Sequence, residues 1–347
     1  MNFINIGVVG CGYWGPNLLR NFAENEAAQL RWICDLDEQR LASMSRRYPM
    51  AQTTTDYRTV VNDPAVDAVA VVTPVATHFP IAKELLRAGK HVLLEKPLAA
   101  TAREAEELIE LAEQNQRTLM VDHTFVYTGA VRKMKEIVSS GELGDLLYFD
   151  SVRINLGLFQ RDINVLWDLA PHDLSIMDYL IERQPHAISA LGSSHIERGI
   201  ENIAYLVMLF PDEFIAHFHF NWLAPVKIRR TMIAGSSKMV LYDDIEPTEK
   251  VRVYDKGVTA NRASRESDYQ TLVSYRTGDV WAPKLDSTEA LRYVVAEFLD
   301  SIRESRPSLT DGYAGLRVVR LLEAAQRSMR NGGQAIVLGE TAQSAPV

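Results

Sequence analysis

Cysteine is scarce: the 347-residue chain holds two, Cys11 and Cys34. Two cysteines cannot build a disulfide framework, and neither stands in a C-x-x-C pair that would hold zinc. Long apolar runs are missing as well, with no stretch of about 18 consecutive apolar residues to suggest a membrane span. The start, Met1-Asn2-Phe3-Ile4-Asn5, lacks the basic region and apolar core of a signal peptide. A reducing, cytoplasmic compartment is the simplest expectation. Positive charge is in deficit, with 37 Lys and Arg against 45 Asp and Glu and a net charge of −8. That disfavours a nucleic-acid partner, which needs a basic face, but leaves room for an anionic substrate in a locally positive cleft. At 47% apolar and 24% charged residues, the composition is that of a folded globular chain long enough for two domains.

What is present is a periodic N-terminal third. Over about 125 residues, short apolar runs alternate with amphipathic ones, the βαβ pattern of a parallel sheet. Strands are expected at Asn5–Val9, Leu30–Cys34, Ala68–Val72, His91–Leu94 and Thr118–Val121, and helices at Trp14–Glu24, Glu38–Arg47, Thr77–Ala88 and Ala102–Gln114. Val69-Ala70-Val71-Val72 is apolar at consecutive positions, as a strand covered on both faces should be. Thr101-x-x-Glu104 reads as a capping box, and Gly89 as a helix stop.

Gly10-Cys11-Gly12-Tyr13-Trp14-Gly15 lies between the first strand and the first helix. In that context Gly10 permits a tight turn, Gly12 a close backbone approach to a pyrophosphate, and Gly15 close helix–strand packing. Asp35 ends the second strand, where an acid accepts hydrogen bonds from ribose hydroxyls. Asp37 and Glu38 follow it, so a 2′-phosphate would meet like charge and NAD is favoured over NADP. Arg40 is the residue that could offset this. Two further loops leave carboxyl strand ends: Thr73-Pro74-Val75-Ala76-Thr77-His78 and Glu95-Lys96-Pro97.

These motifs, together with Trp167-Asp168-Leu169-Ala170-Pro171-His172-Asp173, resemble the Gfo/Idh/MocA oxidoreductases from about residue 3 to residue 330. The last segment is similar to the family's Asp-x-Gly-x-His signature, with Ala170 where glycine is more usual. Its wording is similar to members acting in nucleotide-sugar or polysaccharide metabolism. The resemblance implies an α/β fold: a Rossmann dinucleotide-binding domain over 1–123, then an α/β domain with a large, mostly antiparallel open sheet over 124–347. The last helix could pack back on the first domain. The sequence supports the second sheet independently, with strand-like runs at Leu146–Ile154, Ala187–His195, Ala204–Phe210, Phe214–Asn221, Ile228–Ile233 and Lys250–Tyr254, the third and fourth joined at a Pro211-Asp212-Glu213 turn. Asp286-x-x-Glu289 reads as the cap of a late helix, and Asp311 as the start of another.

The implied activity is NAD-dependent hydride transfer between a sugar secondary hydroxyl and nicotinamide, on a nucleotide-linked sugar. A dehydrogenase of free cyclitols or monosaccharides is the alternative, and a non-catalytic NAD-sensing regulator the second. The implied catalytic set is Lys96, His172 and Asp168. Cofactor contacts are expected from Gly10, Gly12, Tyr13, Trp14, Gly15, Asp35, Arg40, Thr73, Pro74, His78, Glu95 and Lys96. Substrate contacts are expected from His123, Arg153, Asn155, Trp167, Tyr275 and Arg276. His217 and His219 share a strand face, but no third ligand is near in sequence and no metal is expected. A homodimer or homotetramer through the open sheet is expected, with the aromatic run Phe214 to Trp222 offering its surface.

Overall fold

A computed structural model of the chain describes residues 3–157, 159, 163–260 and 273–339. The chain divides into two compact units, Met1–Thr128 with Thr288–Glu323, and Gly129–Ser287 with Ala324–Val347.

The first unit alternates strand and helix: β1 (Ile4–Val9), α1 (Gly15–Ala23), β2 (Ala28–Cys34), α2 (Glu38–Arg47), β3 (Gln52–Thr54), α3 (Tyr57–Asn62), β4 (Ala68–Val71), α4 (His78–Arg87), β5 (His91–Glu95), α5 (Ala102–Gln114) and β6 (Leu119–Asp122). All six strands pair in parallel, in the order β3-β2-β1-β4-β5-β6. Strand order reverses between β1 and β4, so the crevice at their carboxyl ends is where such a sheet takes its ligand. β4 is wholly buried, which its unbroken apolar run requires. β3 and α3 were not expected: β3 is three polar residues at the sheet edge, too short to show a period. At α5 the cap forms, with Glu104 N donating to Thr101 Oγ1 at 3.2 Å. The reciprocal arm departs from the capping box, because Glu104 Oε2 accepts from Ala100 N at 3.2 Å.

The second unit holds α6 (Gly129–Ser139), β7 (Leu146–Leu156), α7 (Val165–Ile181), β8 (Ala187–Ser193), β9 (Ile203–Leu209), β10 (Ile215–Asn221), β11 (Leu223–Gly235), β12 (Met239–Asp243), β13 (Val251–Tyr254), β14 (Gly257–Ala260), β15 (Val273–Arg276) and β16 (Val280–Trp281). After these come α8 (Ala290–Glu304), α9 (Gly312–Arg330) and β17 (Ile336–Val337). The sheet runs β16-β13-β12-β11-β7-β10-β9-β8-β17. Only β7–β10 is a parallel pair; the other pairings are antiparallel. β14 and β15 form a separate two-stranded ladder.

The division of the chain departs from a boundary after residue 123. Thr288–Glu323 goes with the first unit because it completes that core. Val121 N donates to the Thr310 carbonyl at 2.8 Å, and the Thr310 hydroxyl returns a bond to the Val121 carbonyl at 2.7 Å. Gly315 lets α9 come close to β6: a Cβ there would lie 2.7 Å from Val121 Cγ2. The late capping box is also corrected. Glu289 is itself the N-cap of α8 and makes no side-chain cap bond. Its carboxylate is taken by the Arg20 guanidinium at 2.7 and 2.9 Å.

The aromatic run expected to face a partner turns inward instead. Phe214, Phe218, Phe220 and Trp222 are all fully buried within the unit, because β10 lays that face against α7. Phe218 stacks on Phe220 and packs at 5.5 Å from Phe149 of the parallel neighbour β7. The outward residues of β9 and β10 include Tyr205, Val207, Leu209, Ile215, His217 and His219. His217 Nδ1 lies 3.6 Å from Asp150 Oδ1, and His219 stacks on the Tyr205 ring at 4.4 Å. No described helix is long and apolar enough to cross a membrane.

Phe218→Ala should cost about 3–5 kcal/mol of unfolding free energy, the usual cost of emptying a buried aromatic site. Urea unfolding followed by circular dichroism measures it; a loss below about 1 kcal/mol would mean that the inner face is not the core of this unit.

Candidate active site

In the first unit, parallel pairing delivers several loops to the carboxyl edge of the sheet. Gly10 has φ of +103°, and a Cβ on it would stand 2.4 Å from the Val72 carbonyl oxygen. At Gly15 a Cβ would meet the Gly10 carbonyl oxygen at 2.2 Å. Both positions therefore demand glycine. Gly12 faces open ground, its nearest neighbour being Arg40 Nη1 at 3.8 Å from an added Cβ. Tyr13 and Trp14 stand exposed beside it, edge to face at 5.6 Å.

Cys11 is buried in this loop. Burial, then Asp35 and Cys34, push its thiol up to about 12.

Asp35 ties the loop to β2. One oxygen accepts from Cys11 N at 2.5 Å and the other from Asp37 N at 2.9 Å. The cap of α2 is Asp37, which accepts from Gln39 N and Arg40 N, so Asp35 is not spent on capping. Arg40 lies 3.3 Å from Asp37 and 3.8 Å from Asp35. This glycine cradle, the opening of α1 behind it and the acid at the end of β2 fit a bound NAD, with Asp35 toward the ribose hydroxyls.

The next two loops are joined by His78. Its ring is buried, with Nδ1 2.8 Å from the Pro97 carbonyl and Nε2 2.8 Å from the Thr73 carbonyl. Each ring nitrogen faces a main-chain carbonyl, and the neutral ring donates to one of them, so His78 braces the loops. Burial lowers its pKa; the two carbonyls oppose that and Lys96 adds to it. Thr77 Oγ1 donates to Thr73 Oγ1 at 2.7 Å beside Pro74. Glu95 Oε2 accepts from Lys96 N at 2.7 Å, and the Lys96–Pro97 peptide is cis.

Asp122 stands in register with Glu95 across β5 and β6. This residue was not singled out from sequence, and only its place at a strand end hinted at it. Burial pushes its carboxyl up to about 6, against the opposing Thr124 hydroxyl and Lys96 charge. Thr124 Oγ1 donates to it at 2.6 Å. His123 follows, 1% exposed, and neither ring nitrogen has a hydrogen-bond partner among the described residues. Burial, then the charges of Lys96 and Arg317, push its ring down to about 3. The ring is a neutral imidazole whose donor and acceptor are both buried.

In the second unit, Asp168 and His172 lie one turn apart on α7, whose first turn is capped by Asn164 accepting from Trp167 N at 3.1 Å. Trp167 is the half-buried residue next to Asp168. Trp222 Nε1 donates to Asp168 Oδ2 at 3.1 Å. Arg153 is corrected as a substrate contact. It is 2% exposed, because the β7 face it shares with Phe149 and Ser151 is the face under α7. Asn155 lies near the end of the same strand, its Nδ2 donating to the Leu156 carbonyl at 3.0 Å. Arg276 pairs with Asp255 and the Ser237 carbonyl, while Tyr275 beside it is 85% exposed on β15. The anchored arginine is therefore no free phosphate ligand.

A glycine cradle at the carboxyl edge of a parallel sheet, with an acid at the end of the second strand, is the arrangement of a dinucleotide-binding domain. The comparisons agree. Residues 4–123 match the model of the oxidoreductase family with NAD-binding Rossmann fold, GFO_IDH_MocA, and residues 131–241 match the GFO/IDH/MocA C-terminal domain. The chain belongs to the Gfo/Idh/MocA oxidoreductase family. It is similar to a UDP-N-acetylglucosamine 3-dehydrogenase from Acidithiobacillus ferrooxidans, 26% identical over 92% of this chain and 95% of that one. It is also similar to a scyllo-inositol 2-dehydrogenase (NADP(+)) from Bacillus subtilis, 24% identical over 94% of each. A solved structure of the Acidithiobacillus enzyme superposes with a TM-score of 0.79 at 24% identity, covering 95% of this chain and 99% of that one; this shows a shared fold.

Two outcomes follow. Asp122 has a folded-state pKa raised from 3.8 to about 6, so it favours the fold at low pH and costs stability as pH rises through 6. Asp122→Asn should melt near wild type below about pH 4 and above wild type from about pH 7, the gap opening between them. Thermal unfolding across that range reads it, and a pH-independent gap counts against a buried neutral acid. Asp35→Ser should weaken NAD binding about 10–100-fold, the value of a lost charged hydrogen bond, and shift preference toward NADP because one of the acids facing a 2′-phosphate is gone. Fluorescence titration with NADH and NADPH measures both, and an unchanged preference would remove Asp35 from the ribose site.

Proposed function

We propose that the chain interconverts a secondary hydroxyl and a ketone on a nucleotide-linked sugar. The observation that carries this reading is the Asp168–His172 pair, one helical turn apart with the carboxylate held by Trp222. A base for the hydroxyl proton is the group such a reaction requires of the protein. His172 takes that proton in the oxidation direction and returns it in reduction. Asp168 orients the imidazole or holds a neighbouring sugar hydroxyl. Lys96 donates a hydrogen bond to the reacting oxygen as negative charge grows there. Bound NAD supplies the two-electron acceptor or donor. His123 and Trp167 offer a polar and an aromatic contact to the sugar.

The nucleotide part rests on the Trp-Asp-Leu-Ala-Pro-His wording and on the name of the Acidithiobacillus relative. Absorbance of NADH followed against UDP-sugars, TDP-sugars and inositols tests it. Activity confined to free polyols would move the substrate to the cyclitol class. His172→Ala and Lys96→Ala should each lose about 10²–10⁴-fold in turnover, the usual worth of a positioned proton-transfer group, while NADH binding survives. Near-wild-type turnover in both would overturn these roles.

We further propose assembly with a second copy through the outer sheet face. Leu209 and Ile215 form a cross-strand pair there, with Tyr205 opposite Leu191, each more than two-fifths exposed. The two pairs flank His217 and Val207 on that face and give a second copy apolar side chains to cover. Light scattering at micromolar concentration should give at least a dimer; a monomer would dismiss the interface.

A further inference from the structure

α7 carries Asp168 and His172 on a helix with Pro171 inside it. Proline has no N–H to give to the carbonyl four residues back, that of Trp167, and its ring crowds that carbonyl. The turn bearing both side chains is thus the weakest of the helix by its own hydrogen bonding.

Two carboxylates tie this turn to the sheet. Asp168 is held by Trp222, whose own main chain is fixed on both sides: Trp222 N donates to the Asn202 carbonyl at 2.9 Å, and Gly157 N donates to the Trp222 carbonyl at 3.0 Å. Asp173 is held more firmly. Arg153 donates from Nε to Oδ2 at 2.6 Å and from Nη2 to Oδ1 at 3.1 Å, and Ser151 Oγ donates to Oδ1 at 3.0 Å. Ser151 also meets the Thr231 hydroxyl at 3.3 Å on β11. All four residues are buried. Burial works against the Arg153 charge, but Asp173, with Tyr242 and Asp244 behind it, keeps the guanidinium pKa above its ordinary value. A two-pronged guanidinium–carboxylate contact fixes orientation as well as distance.

A buried ion pair is a poor source of stability, since apolar residues of equal volume commonly do as well. This one sits where orientation matters. Successive helical residues are about 100° apart around the axis, so the azimuth of Asp173 sets that of His172. We propose that Arg153 and Asp173 are positioning residues for His172: their buried pair locks the rotation of α7 at its proline-weakened turn. The inference rests on the reading of His172 as the base.

The test removes both charges at once, Arg153→Met with Asp173→Leu, so that no uncompensated ion remains and the fold is kept. The His172 imidazole is followed by long-range 1H–15N NMR in the full-length protein, assigned with His172→Gln. Turnover is measured with UDP-N-acetylglucosamine and scyllo-inositol as probes. The paired variant should melt close to wild type and bind NADH as wild type does, yet show a shifted His172 titration and lose about 10²-fold in turnover, the cost of a small misplacement. Placed on His172→Ala, the same pair should change residual turnover by less than about 2-fold, because it acts through the missing ring. A folded paired variant with an unmoved His172 signal and wild-type turnover would overturn the proposal. A moved signal alongside undiminished turnover of His172→Ala would uphold positioning and discard the base.

Discussion

Parallel pairing places the carboxyl ends of neighbouring strands on one edge. Val9 stands beside Cys34 and Val71, Val71 beside Leu94, and Glu95 beside Asp122. The residues that follow these ends, Gly10, Asp35, Thr73, Lys96 and His123, are thereby delivered to a common rim. Main-chain bonds extend the order a step past the strands, with Gly10 N on the Cys34 carbonyl and Val72 N on the Val9 carbonyl. Since the strands are covered by helices on both faces, their side chains are consumed by the core. Chemistry in this unit is left to the loops.

The second unit solves the opposite problem. Its strands alternate, one face under α7 and the other outward. A polar residue on the covered face must find a partner there or cost stability. Ser151, Arg153 and Thr231 meet that demand by converging on Asp173 and on one another. The Asp168–His172 pair is carried by the covering helix, so its placement depends on how that helix is seated rather than on strand register.

This difference explains what the sequence could show. Gly10 and Gly15 were legible because backbone geometry leaves so little choice of residue at those points, and Asp35 because it stands at a strand end beside them. Alternation along β7 correctly placed Arg153 and Asn155 on one face, but it carries no information on which face a helix will cover. Asp173 reads as one more acid in a polar segment; only a partner 20 residues earlier makes it a buried anchor. Glu289 fitted a local capping pattern and was claimed by Arg20, far away in the chain. α6 lacked a recognisable start signal, and β3 was too short and polar to show a period. Local rules succeeded where the constraint is local and failed where a distant side chain decides.

Cys11 sits between two glycines of the cofactor loop, a place where modification would block the approach of a dinucleotide. Its thiol is held protonated by burial and by Asp35, and the thiolate is the form that reacts. The loop is therefore built to be chemically inert at its one soft atom. Burial and a disfavoured thiolate both work against attack on this thiol by peroxides and alkylating agents, so a covalent reporter of cofactor occupancy belongs on a different side chain.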